Sequence, residues 1–346
     1  MAILGHVGNM KMLVEEGELP IRLRRSLMPA VKPRSRERAL RIKTILVPLD
    51  FSQTSMRALK YVIPLAKEYD ATIHLVHVQP ADELTTIENA AGLMLTCADA
   101  IALMQDRLSE ALRNQGRFWP DNCHVVTGRP FEEICKLARQ IKADLIVLPT
   151  RGLGRLKHVL LGSTAERVVR SAPCPVLIPR GPKFKSVTWN GSSGTVAFEP
   201  RRILVPVDFS QCSVAGVRYA AHLAKDTGAT LRLFHVIFPY TQIFNLDRVR
   251  PDLTPLIKSA RGRARQEMSE LMGMSFLQGI PCETEIRSGP VIDEIVGESI
   301  GRGIDLIVTS THGYTGFKRA VIGSVAEHVV RYAECPVIIV PSRGYD

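Results

Sequence analysis

The sequence predicts an α/β fold of two tandem, doubly wound, parallel-sheet domains, and three observations carry that prediction. The chain repeats itself: "KTILVPLDFSQTSMRAL" (43–59) returns as "RRILVPVDFSQCSVAGV" (201–217), "ATIHLVHV" (71–78) as "ATLRLFHV" (229–236), and "CPVLIP" (174–179) as "CPVIIV" (335–340). Across 147–180 and 308–341, roughly half the positions are identical. Within each copy, short continuous apolar runs, of the kind covered on both faces, alternate with stretches of helical spacing. Strands and helices in that alternation form a parallel sheet with right-handed crossovers and helices on both faces.

The elements follow in order. "ILVPL" (45–49) reads as the first strand. After Asp50-Phe51-Ser52 the spacing turns helical, with Met56, Leu59, Tyr61, Val62 and Leu65 as a buried stripe. A strand at 72–78, a helix around 97–115, a strand near 123–127, a helix at 131–141 and a strand at 144–149 come next. A Gly-rich loop, a helix from about 162 and a last strand at 175–179 complete the unit; the second copy repeats it with its long helix near 256–276. "GPKFKSVTWNGSSGTVAFEP" (181–200) reads as a linker. The expected organisation is a leader (1–41), a first domain (42–180), the linker and a second domain (201–341).

A chain of 346 residues, 45% hydrophobic, is long enough for two cores. No apolar run approaches the ~18–20 residues of a membrane helix, so no membrane segment is expected. Seven cysteines lie scattered without a CxxC pair, which predicts buried free thiols in a reducing cytoplasm. Of the net charge of +11, a large share sits in the leader, where nine basic residues face four acidic ones. No aromatic side chain accompanies those charges, so a solvated, poorly ordered tail is expected there and nucleic acid is not expected as a partner. The leader lacks the apolar stretch of a secretion signal, and its glutamates argue against a transit peptide.

Three features converge on the carboxyl edge of the predicted sheets, where such folds bind ligands. Asp50 and Asp208 end the first strand of each copy. A carboxylate there accepts hydrogen bonds from a ligand's hydroxyl or amino groups, or else helps Ser52 and Ser210 to cap the next helix. Gly313 and Gly316, with Gly152 and Gly154 in the first copy, allow a tight turn close to a ligand. Gly323-Ser324 and Gly162-Ser163 open a helix, whose free N–H groups and positive dipole end favour an anion. The same serines also read as N-caps, with Glu327 and Glu166 three residues on completing a capping box.

The order "ILVPVDFS", then "HV", then "THGYTGFKRAVIGSVAEHVV" and "CPVIIV" resembles the universal stress protein family, whose nucleotide-binding members carry a loop G-x2-G-x9-G-[ST]. The likeness spans about 42–180 and 201–341. It implies a Rossmann-like, five-stranded parallel α/β sandwich in each domain, with the two domains paired as subunits of single-domain relatives pair. It also implies ATP as ligand, with Mg²⁺ only as its companion. The adenosine contacts would be Asp208 and Val236, or Asp50 and Val78 in the first copy. The ribose and phosphate contacts would be Gly313, Gly323, Ser324 and Val325, and Gly152, Gly162 and Ser163. The first glycine of the loop is absent twice, being Ser310 in the second copy and Pro149 in the first. Serine keeps its N–H whereas proline has none, so the second site is the expected binder.

No lysine phosphate loop, HExxH, GxSxG or complete GxGxxG is present. His312 is the one candidate general base beside the second loop, and packing within that loop is its competing role. The expectation is a nucleotide-binding regulatory module of the stress response acting on a protein partner, with a homo-oligomer possible. A non-binding dimerisation scaffold and a slow ATP hydrolase are the alternatives.

Overall fold

In the computed structural model the apolar runs form strands and the periodic stretches form helices. The structure describes residues 39–79, 99, 102, 106, 122–148, 162–179, 187–190, 195–238, 254–311 and 323–341. The N-terminal half runs β1 (Thr44–Pro48), α1 (Gln53–Tyr69), β2 (Thr72–Gln79), β3 (Cys123–Thr127), α2 (Pro130–Gln140), β4 (Leu145–Val147), α3 (Ser163–Ser171) and β5 (Val176–Ile178). An antiparallel pair, β6 (Val187–Asn190) and β7 (Thr195–Phe198), separates the halves. The C-terminal half repeats the plan as β8 (Arg202–Pro206), α4 (Gln211–Thr227), β9 (Thr230–Ile237), α5 (Thr254–Met272), β10 (Cys282–Ser288), α6 (Val291–Gly301), β11 (Leu306–Ser310), α7 (Ser324–Tyr332) and β12 (Val337–Val340).

Two features depart from expectation. The described parts of the expected linker form strands, β6 pairing with β7 and β7 lying beside α1, because both runs are rich in β-branched and aromatic residues. Leu40, assigned to the leader, is buried, and Asp226 at the end of α4 accepts the N–H groups of Ala39 (2.7 Å) and Leu40 (3.0 Å). The leader before residue 39 and almost all of the helix expected at 97–115 lie outside the described residues.

Each half orders its strands 3-2-1-4-5, as β3-β2-β1-β4-β5 in the first and β10-β9-β8-β11-β12 in the second. The halves join edge to edge into one ten-stranded sheet in which every pairing is parallel except β5 with β12. Leu177 faces Ile338, Val176 faces Ile339 and Ile178 faces Val337. Leu177 and Ile338 hold the same place in the two copies of the CPV motif, so a local twofold passes between them and the contact is self-complementary.

Alternation along the strands builds two cores, one on each face. Ile45, Val47, Leu75, Leu177, Ile338 and Val340 pack under α1, α4 and α5. Leu46, Val76, Ile146, Val176, Val337 and Ile339 pack under α2, α3, α6 and α7. Both cores run uninterrupted through the seam. Leu177→Ala should therefore destabilise the whole protein by about 2–5 kcal/mol, the usual cost of a buried Leu→Ala cavity. Urea denaturation followed by circular dichroism would check this, with both halves expected to unfold in the same shifted transition.

Candidate functional site

In a doubly wound sheet the crevice opens where consecutive connections leave in opposite directions. Here that point lies between β1 and β4 in the first half and between β8 and β11 in the second. A cleft occupies each, about 460 Å³ in the first and about 530 Å³ in the second, within the usual range for small-ligand sites.

The first wall is the turn after the leading strand. Phe51 (φ 58°) and Phe209 (φ 63°) adopt the left-handed conformation, a cost of about 1–3 kcal/mol for a bulky residue that the surroundings must offset. Each ring packs on a histidine of the neighbouring strand, Phe51 on His77 with centroids 4.7 Å apart and Phe209 on His235 at 4.6 Å. His77 Nδ1 lies 2.9 Å from the Leu49 carbonyl and His235 Nδ1 2.8 Å from the Val207 carbonyl. A carbonyl only accepts, so Nδ1 carries the proton in both rings. The bent backbone brings the Ser52 N–H within 3.0 Å of Asp50 Oδ1, and the Ser210 N–H within 3.1 Å of Asp208 Oδ1. Ser210 Oγ also donates to Asp208 Oδ1 at 2.6 Å. The serines are the helix caps, Ser52 Oγ accepting from Ser55 N–H and Ser210 Oγ from Ser213 N–H. The aspartates therefore brace the cap rather than form it.

The opposite wall is a helix start, and here the capping-box expectation fails. The N-caps of α3 and α7 are Gly162 and Gly323, with no side-chain cap, and Ser163 and Ser324 stand one residue inside the helix. Glu166 and Glu327 consequently fall at the fourth helical position, too far along to reach back. They pair instead with Arg170 (2.6 Å) and Arg331 (3.0 Å) one turn on. The Gly323 N–H is engaged by the Thr311 carbonyl at 2.8 Å. The N-cap of α7 is a glycine, which has no side chain to accept from the first N–H groups of the helix, and Gly323, Ser324, Val325 and Ala326 line the second cleft. At Gly162 an added Cβ would meet nothing within 4 Å, so the fold does not itself demand glycine there.

Asp50, Val78, Gly162 and Ser163 line the first cleft together. Asp208, Val236, Ser310, Gly323, Ser324 and Val325 line the second. Gly152 and Gly313 lie outside the described residues, as do Pro149, Gly154, His312 and Gly316. Sequence reasoning gave no role to Phe51, Phe209, His77 or His235, although "DFS" and "HV" recur in both copies and marked them. It also missed the apolar wall that α2 and α6 supply through Pro130 and Ile134, and Val291 and Ile295.

The profile of the universal stress protein family matches residues 41–180 and 199–341. The chain belongs to the universal stress protein family. A universal stress protein of Methanocaldococcus jannaschii is 35% identical over 146 residues, 41% of this chain and 84% of that protein. One from Mycolicibacterium smegmatis is 24% identical over 310 residues, 86% of this chain and 97% of its own length. The crystal structure of a universal stress protein from Archaeoglobus fulgidus shares the fold at TM-score 0.59 and 22% identity, over 88% of this chain and 100% of that one.

The two universal stress protein domains differ in charge beside their clefts. In the second, Arg232 is buried and bonds Glu298, Glu283 (2.6 Å) and Glu285 (3.3 Å), while Arg287 holds Glu298 at 2.6 Å. Burial opposes the Arg232 charge, but the hydrogen bonds and charges of Glu298 and Glu283 outweigh it and raise its pKa. At the corresponding place in the first domain stands His74, its Nδ1 3.0 Å from His124 Nε2. Only one proton fits between those nitrogens. Burial lowers the pKa of both rings, and the charge of His124 lowers that of His74 further. Six described cysteines are free thiols; burial pushes Cys135 up to about 11 and Cys174 up to about 12, so both stay protonated and unreactive. Among the described residues no helix is long and apolar enough to cross a membrane, and no three metal-ligating side chains gather.

The histidine pair sets a pH dependence. Unfolded, both rings take up protons below about pH 6.5, whereas folded they resist until lower pH. Their contribution is thus complete above about pH 6.5 and lost as the pH falls toward the depressed folded values. The melting temperature should drop between pH 7.5 and 5, and drop less in a His74→Gln/His124→Gln double variant, as scanning calorimetry would reveal.

Proposed function

We propose that this universal stress protein binds an adenine nucleotide, ATP, in the cleft of its C-terminal domain, and acts as a regulatory module whose occupancy a protein partner reads. The observation that carries this reading is the glycine-capped start of α7: Gly323, Ser324, Val325 and Ala326, the residues that open the helix, line the same cleft as Asp208. Such a start favours an anion by about 0.3–1 kcal/mol, and up to ~2 when partly buried.

The residue roles follow from chemistry. Asp208 accepts hydrogen bonds from hydroxyl or amino groups, since a carboxylate is acceptor-only. Val236 offers backbone groups at the end of β9, and Phe234, Val291 and Ile295 supply apolar walls. Ser324 adds a hydroxyl at the helix start. Mg²⁺ would arrive with the triphosphate, because hard cations of this size are held largely by phosphates and water.

The N-terminal domain repeats the wall of Asp50, Val78, Gly162 and Ser163, yet carries Pro149 where the second domain has Ser310. Loss of one backbone donor and a fixed φ weaken that copy as a phosphate cradle. The intramolecular seam consumes the β5 and β12 edges, so further self-association would need another surface.

Calorimetric titration of ATP into the wild type, Gly162→Asp and Gly323→Asp tests the proposal. The expected outcome is one strong site with a dissociation constant below about 1 mM, retained in Gly162→Asp and lost in Gly323→Asp. No heat and no ligand-induced rise in melting temperature would leave the scaffold reading in its place.

A further inference from the structure

The second cleft has an aromatic rim, and no phenylalanine lines the first among the described residues. Phe234 and Val236 share one face of β9, Phe238 follows the strand's last residue, and all three line the cleft. Phe234 is 1% exposed and forms part of the floor, whereas Phe238 is 39% exposed. The backbone beneath it is held, since the Gly289 N–H donates to the Ile237 carbonyl at 3.2 Å. A side chain on Gly289 would crowd Glu294, whose Oε1 would sit 2.5 Å from a Cβ. Phe238 thus leaves the sheet from a fixed point and presents a ring to the cavity.

The corresponding sequence positions in the first domain are Val76, Val78 and Pro80, with no aromatic among them. The start of α7 lines the same cleft through Ser324 and Val325. The cavity therefore suits both a flat apolar group and an anion, the two halves of a nucleotide.

We infer that Phe238 is a specificity-determining residue that stacks on the nucleobase, so that the second cleft selects nucleotides over bare polyphosphates. This rests on the nucleotide reading of the cleft. A ring left 39% exposed at a cavity mouth keeps a π face available, and stacking on it is tolerant of base identity.

The test measures ATP and inorganic tripolyphosphate binding by calorimetry, with Gly162→Asp in every protein to silence the first cleft. Phe238→Ala should weaken ATP by ~5- to 150-fold, the cost of one lost base stack, and leave tripolyphosphate within about twofold. Phe238→Tyr, which keeps the ring, should bind ATP as the parent does. If the parent binds ATP but Phe238→Ala binds it equally well, or loses both ligands in proportion, the stacking role is overturned while the nucleotide reading stands. If the parent binds neither ligand, both fall.

Discussion

The antiparallel contact of β5 with β12 is the constraint on which the rest of the molecule depends. Each half is an open sheet, and an open sheet leaves a strand edge of unpaired N–H and C=O groups. Because the halves are copies, the same short apolar strand is available twice, and a twofold lets each satisfy the other. Leu177 and Ile338 then meet across the axis, and the cores on both faces of the sheet become continuous. The outer edges are treated differently: β10 alternates Glu283, Glu285 and Arg287 along its length, charges that discourage another strand from adding there.

The seam also fixes the clefts. With β5 and β12 at the centre, the crevices between β1 and β4 and between β8 and β11 become two sites of one rigid sheet. Within each, a left-handed phenylalanine folds the chain so that an aspartate braces the helix cap. The His77 and His235 rings support that turn by bonding the carbonyl before it. The same strained peptide recurs in both halves, a sign that it is built in by the surrounding contacts.

Duplication has left the two domains alike in frame and unlike in charge. A network of Arg232, Arg287, Glu283, Glu285 and Glu298 stands in the second domain where the first has a pair of neutral imidazoles. Removing either buried member, Arg232 or Glu298, strands the other, so the pair and its more exposed partners lock β9, β10 and α6 together. The histidine pair holds β2 to β3 by one shared proton and yields to acid.

The sequence by itself determined the duplication, the α/β class, the order of elements and the candidate residues at each strand end. These are legible because they rest on local periodicity and on motifs such as DFS, HV and GS that appear twice. Only the tertiary structure decided that β5 pairs with β12 inside the chain, since edge pairing is a contact between residues about 161 positions apart that no local pattern encodes. It likewise decided that Gly323, not Ser324, is the N-cap, with the glycine N–H bonded to the Thr311 carbonyl. The hairpin within the expected linker, the imidazole pair and the rim at Phe238 were hidden for the same reason. Each depends on which side chains distant stretches bring together, and packing alone settles that.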